Sequence, residues 1–139
     1  MEWTKPEKPT KENPLVVYMI VRESLGMGIG KMVAQGGHSI QLLLKHDRDL
    51  RKLKTLSDAD KNKTIRMDIW KDYNVNGGFR KVALSADEKE WKYIKENYDP
   101  VIVVDAGLTE VAPGSETVMV LFPILKSERC KTLKRMRCL

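Results

Sequence analysis

The sequence predicts an α/β protein: one domain built on a mixed four-stranded sheet with helices on both faces, a three-layer α/β/α arrangement. Three observations predict it. Short apolar runs of strand length alternate with stretches of helical spacing, in the order β-α-(α)-β-α-β-β-α. The chain has 139 residues, enough for one compact core without metal or disulfide support. The apolar fraction is 42%, ordinary for a globular protein.

Residues 1–13 hold Pro6 and Pro9 and little apolar content besides Trp3, and they read as a flexible tail ahead of a domain spanning 14–139. Residues 15–21, LVVYMIV, form a continuous apolar run rich in β-branched residues, which predicts a strand buried on both faces. A glycine-spaced turn follows at Gly26, Gly28 and Gly30. A helix is predicted over 31–46, with Val33, Gly37, Ile40 and Leu44 on one face. Residues 47–56 suit a second helix, and 57–64 read as an exposed loop or insertion.

Gly77 and Gly78 turn the chain into a short strand over 79–84. Ser85 and Glu88 have capping-box spacing and open a helix to about Asn97, with Trp91 and Ile94 inward. Asp99-Pro100 breaks that helix before a strand at 101–104. A loop over 105–116 leads to a strand at 117–122, Pro123 ends it, and a basic helix follows.

Lys and Arg number 25 against 19 Asp and Glu, for a net charge of +6. Such an excess favours polyanionic partners through phosphate neutralisation and counterion release. Between 126 and 137 six cations face the single Glu128. A solvated helix face is the plain explanation, and an RNA-binding set of Lys126, Arg129, Lys134 and Arg135 is the functional one. No apolar run reaches the ~18 residues of a membrane span, and no secretory-signal pattern is present. Cys130 and Cys138 lack zinc or disulfide spacing, which suits free thiols in a cytoplasmic protein.

The glycine turn matches neither a phosphate-binding P-loop, since only three residues separate Gly26 from Gly30, nor the dinucleotide fingerprint, whose last glycine would fall at Lys31. A strand, a glycine turn and a helix N-terminus remain, and these present backbone N–H groups to an anion or a developing oxyanion. Lys31 in the first helical turn opposes the macrodipole at a cost of ~0.3–1 kcal/mol, so the fold itself does not ask for it. At ~100° per residue, Gln35 and His38 share its stripe, which is otherwise the wet side of an amphipathic helix. Asp105 follows an apolar strand, with Gly107, Thr109 and the turn Pro113-Gly114-Ser115 beyond it. In open α/β sheets sites gather at the carboxyl ends of strands. If strands 15–21 and 101–104 run in parallel, Lys31, Asp105 and Thr109 converge.

Residues 25–38, LGMGIGKMVAQGGH, and 105–115, DAGLTEVAPGS, resemble the two signatures of type 2 peptidyl-tRNA hydrolases, in the family's order. The resemblance implies hydrolysis of the ester between a peptide and the tRNA 3′ ribose, without metal, other cofactor or covalent nucleophile. It implies catalytic roles for Lys31, Asp105 and Thr109, and substrate contacts from Gly28, Gly30, Gln35, His38 and Ser115. Peptidyl-tRNA is the implied partner, and relatives suggest a homodimer. Asp105 with Thr109 would activate a water. Lys31 and the N–H groups of the 28–31 turn would hold the oxyanion, although Lys31 could equally transfer the proton. This chain departs from the family pattern at Ile29, at the paired Gly36 and Gly37, and at Glu110, where Gln is usual. Ile29 and Glu110 keep open a second reading, a catalytically silent RNA- or protein-binding adaptor. A hydrolase for another ester or amide conjugate is the third.

Overall fold

In a computed structural model, which describes residues 1–107 and 110–139, the run at 15–21 becomes the central strand β1 (Leu15–Arg22). Nearly all of its side chains are buried, as a strand covered on both faces requires. Around it the described residues form one mixed open sheet with five α-helices. The other strands are β2 (Lys81–Ala86), β3 (Val101–Val104), β4 (Glu116–Val120), β5 (Ile124–Leu125) and β6 (Arg137–Cys138), in the order β3-β4-β1-β2-β6, with β5 paired to β1. The sheet therefore has six strands rather than the expected four. The two additions, β5 and β6, have two residues each, too short for any alternation to mark them. β5 lies beyond Pro123, and a residue without an N–H is tolerated between strands.

β1 and β2 are parallel, while β4 is antiparallel to both β1 and β3. β1 and β3 consequently point the same way, and their carboxyl ends emerge on one edge of the sheet. The crossover between β1 and β2 carries α1 (Ile29–Arg51), α2 (Asp58–Lys71) and α3 (Tyr73–Asn76).

α1 continues from the first predicted helix into the second, because no Gly or Pro interrupts 38–51, but it ends at Arg51, short of the expected Leu56. Its inward face is also not the expected one. Gln35, Ser39, Leu43, Asp47 and Leu50 are buried, whereas Val33 is 70% exposed. Three of these inward residues are polar and satisfied: Ser39 donates to the Gly36 carbonyl, and Asp47 pairs with Arg51 and Lys71. Apolar periodicity is blind to such a stripe.

Where a loop was expected at 57–64, Ser57 caps α2 by accepting from the Asp60 N–H at 3.1 Å. Charge concealed this helix, because its Arg66 is fully buried, ion-paired to Glu128 and bonded to the Thr4 and Pro123 carbonyls. The segment 1–13 contains no helix or strand. It is nevertheless anchored, since Trp3 is buried edge-on to Phe122 and its carbonyl accepts from Asn62.

Helix α4 (Glu88–Tyr98) is capped by Asp87 and Glu90, not by Ser85 and Glu88. Pairing with Val21 and Arg22 of β1 extends β2 through Ala86 and moves the cap two residues on. The predicted basic helix is short: a 3-10 turn at Lys126–Glu128 precedes α5 (Lys131–Arg135). Glu128 is drawn inward to Arg66 and to the Leu125 N–H, which ends the turn. Met19, with Met32 and Gly36 of α1, lines one face of the sheet; Tyr18, with Leu133 of α5, lines the other. No helix among the described residues is long and apolar enough to cross a membrane.

Candidate active site

The site forms where β1 and β3 end. After β1 a 3-10 turn, Glu23–Leu25, closes on Gly26 in the left-handed region (φ 60°), and Gly28 then becomes the N-cap of α1. This places Lys31 in the helix's first turn, facing β3. Asp105 follows β3 and is pinned from both sides of a hairpin: its N–H donates to the Ser115 carbonyl, and its own carbonyl accepts from the Gly114 N–H. Gly107 (φ 77°) folds the loop back so tightly that a Cβ there would lie 2.5 Å from Pro113.

Of the predicted convergence of Lys31, Asp105 and Thr109, the part that falls on described residues, Lys31 with Asp105, occurs. Lys31 Nζ lies 2.6 Å from Asp105 Oδ1, and both side chains are almost wholly buried. Gln35 Nε2 donates to the same oxygen at 3.0 Å, and the Gly107 N–H donates to Oδ2 at 2.6 Å. The Gln35 amide oxygen accepts from the hydroxyl of Thr117, a fully buried residue, at 2.8 Å. Thr117 thus fixes which way the amide points and commits its NH2 to Asp105. Sequence reading took Thr117 only as the start of a strand; its role depends on the β3–β4 register, which no local pattern encodes.

The hydrogen bond from Lys31 holds the Asp105 carboxyl below its ordinary value. Burial opposes that shift, while the Gly107 N–H and Gln35 reinforce it. Asp105 is therefore an anion at neutral pH and a weak base. It is well suited to fix an ammonium and orient a donor, and poorly suited to strip a proton from water.

A cleft of about 670 Å³ opens beside the pair, between α1 and β3, lined by Gly30, Lys31, Gln35, His38, Val103 and Asp105 among others. His38 is exposed at its rim, with Nδ1 3.3 Å from Gln41 Oε1. Gly28 does not line the cleft, and its N–H is already taken by Glu110 Oε2 at 2.7 Å. Ser115 is also apart from it, with its hydroxyl donating to the Ala112 carbonyl. Thr109 lies outside the described residues. Of the four cations assigned to RNA, Lys126, Arg129 and Lys134 gather round one groove, whereas Arg135 borders a different cleft with Asp87, Glu90 and Glu96. Among the described residues no three His, Cys, Asp or Glu side chains group as a metal site.

Residues 15–139 match the family model described as peptidyl-tRNA hydrolase PTH2. A peptidyl-tRNA hydrolase of Methanocaldococcus jannaschii is 32% identical over 111 residues, covering 76% of this chain and 83% of the archaeal protein. One from Pyrobaculum aerophilum is 29% identical over 109 residues, covering 74% and 79% respectively.

Proposed function

The chain belongs to the PTH2 family of peptidyl-tRNA hydrolases, and from that premise we propose that it cleaves the ester between a peptide and the 3′ ribose of tRNA at the Lys31–Asp105 pair. Water adds across the acyl–oxygen bond. The peptide leaves with a carboxyl group, and the proton lost by water ends on the departing ribose oxygen.

The observation that carries this reading is a buried lysine held by a carboxylate at the wall of an open cleft. An adaptor that only binds has no need of such a pair, and removing either partner of a buried pair leaves a costly lone charge. In the proposed mechanism the Lys31 ammonium stabilises the oxyanion of the tetrahedral intermediate, where a preorganised charge in a dry site counts most. The first helical turn adds N–H groups without intrahelical partners, and Gly30 borders the cleft. Asp105 keeps Lys31 in place. Its Oδ2, which accepts from Gly107, retains a lone pair that can orient the attacking water together with the Thr109 hydroxyl. Gln35 acts as a positioning residue, since Thr117 and Asp105 engage both ends of its amide. His38 and Gly30 contact the acyl or adenosyl end of the substrate.

The same proposal places the protein in the cytoplasm as a homodimer. Free thiols at Cys130 and Cys138 suit a reducing compartment. Ile29 and Val33, 79% and 70% exposed on α1, suit an apolar contact between copies.

The test is release of free tRNA from N-acetyl-aminoacyl-tRNA by purified protein in EDTA, with no nucleotide added. The expected result is turnover equal to that without chelator. Loss of turnover on chelation, restored by a divalent ion, would overturn the metal-free mechanism.

A further inference from the structure

On the face of the sheet opposite α1, a groove of about 510 Å³ is rimmed by four cations from separate parts of the chain. Arg80 comes from the residue just before β2, Lys126 from the 3-10 turn, Arg129 from the link after it, and Lys134 from α5. Lys81, the first residue of β2, pairs with Val17 and so projects with Met19 and Ala83 toward α1. No carboxylate lines the groove among the described residues, and none of the four belongs to an ion pair there.

Four like charges round one hollow repel one another within a Debye length of ~8 Å, a cost that a bound anion relieves. Two of the four are also tethered. The Arg80 Nε donates to the Asn76 carbonyl at 2.7 Å, and the Arg129 Nε to the Lys126 carbonyl at 2.9 Å. With Nε engaged, each guanidinium keeps its outer N–H fork for a ligand, and less side-chain freedom is lost on binding. The floor is Val16, Tyr18, Val82 and Leu84.

We propose that this groove is a second RNA-binding site, separate from the ester-cleaving cleft, which takes the phosphodiester backbone without reading bases. The choice of RNA among polyanions rests on the reading of the chain as a peptidyl-tRNA hydrolase. The separation rests on topology alone. The cleft lies between α1 and β3, while the groove lies over β1 and β2 on the other face. Phosphate contacts bind and orient but do not specify sequence, which suits an enzyme that serves many tRNAs.

The test is fluorescence anisotropy of the full chain with a labelled RNA hairpin carrying no aminoacyl group, titrated between 50 and 200 mM salt. If four phosphates are engaged, log Kd should rise with log salt with a slope of about 3 to 3.5. The double variant Arg129→Gln/Lys134→Gln should flatten that slope by about 1.5 to 2 units, with native circular dichroism. It should cleave the N-acetyl-aminoacyl ester of a CCA trinucleotide as fast as wild type. Lys31→Ala should keep the wild-type hairpin slope. A raised KM of the double variant for full-length N-acetyl-aminoacyl-tRNA would assign the groove to the substrate's own body. An unchanged KM with hairpin binding lost would assign it to another RNA. The proposal is overturned if the double variant keeps the wild-type slope and affinity, or if Lys31→Ala abolishes hairpin binding. Failure of the wild type to cleave the trinucleotide ester would instead count against the catalytic reading, and the hairpin measurements would still stand.

Discussion

Asp105 makes three hydrogen bonds at once, to Lys31, Gln35 and the Gly107 N–H, and each favours its ionised form. Because its folded value lies below the ordinary one, the stability it contributes is complete above the unfolded value near ~3.9, and it is lost only as pH falls through the lower folded value. The pH profile of kcat/KM should therefore show no acid limb from Asp105 between pH 5 and 7. An inflection in that window that vanishes in Asp105→Asn would contradict the assignment. Thr117→Val offers a separate check. It removes the donor to a buried amide oxygen, which costs roughly 1–3 kcal/mol when left unsatisfied. Urea denaturation should report that loss, and kcat should fall as Gln35 and Asp105 lose their alignment. Unchanged kcat would remove Thr117 from the positioning set. At this scale Lys31, Gln35 and Asp105 were legible in the sequence, because motif spacing carries them. Thr117 and the seat of Glu110 on the Gly28 N–H were not, because they depend on contacts 82 residues apart.

Among the elements, those with strong local signals were legible: β1 from its unbroken apolar run, β3 from the break at Asp99-Pro100, and α4 to within two residues at its cap. The first half of α2 was misread as a loop and its second half left unassigned, because its buried face includes Lys63 and Arg66, each satisfied by partners remote in sequence. Its boundary did carry a signal, with Ser57 at the N-cap and Asp58 and Asp60 in the first turn complementing the dipole. Ser57→Ala should lower unfolding free energy by about 0.5–2 kcal/mol, the usual value of such a cap, with kcat unaffected, since α2 does not line the cleft. A flat denaturation midpoint would mean that tertiary contacts alone hold the helix. The basic segment after Pro123 was misread in the opposite sense. Its charge density suggested one helix, but Glu128 turns inward to Arg66 and the chain returns to the sheet as β6.

For the molecule as a whole, the class and the helices on both faces followed from element order, whereas the parallel sense of β1 and β3 was only a condition in the sequence; pairing of both strands antiparallel to β4 meets it and brings the two motifs to the same sheet edge. The inward face of α1 did not follow. Hydrophobic spacing pointed to Val33 and Ile40, whereas the domain buries Gln35, Ser39 and Asp47 and leaves the apolar flank half open. Burying the polar stripe is what delivers Gln35 to Asp105, so the departure from the usual pattern and the position of the site have one cause. If Lys31, held by Asp105, stabilises charge that develops during ester cleavage, its loss must show in the chemical step itself, which single-turnover hydrolysis of N-acetyl-aminoacyl-tRNA by Lys31→Ala at saturating enzyme isolates. The expected rate is lower by roughly 10²-fold or more, the scale of losing one preorganised electrostatic contribution, with tRNA affinity and circular dichroism close to wild type. Cleavage at near the wild-type rate would remove Lys31 from the catalytic step.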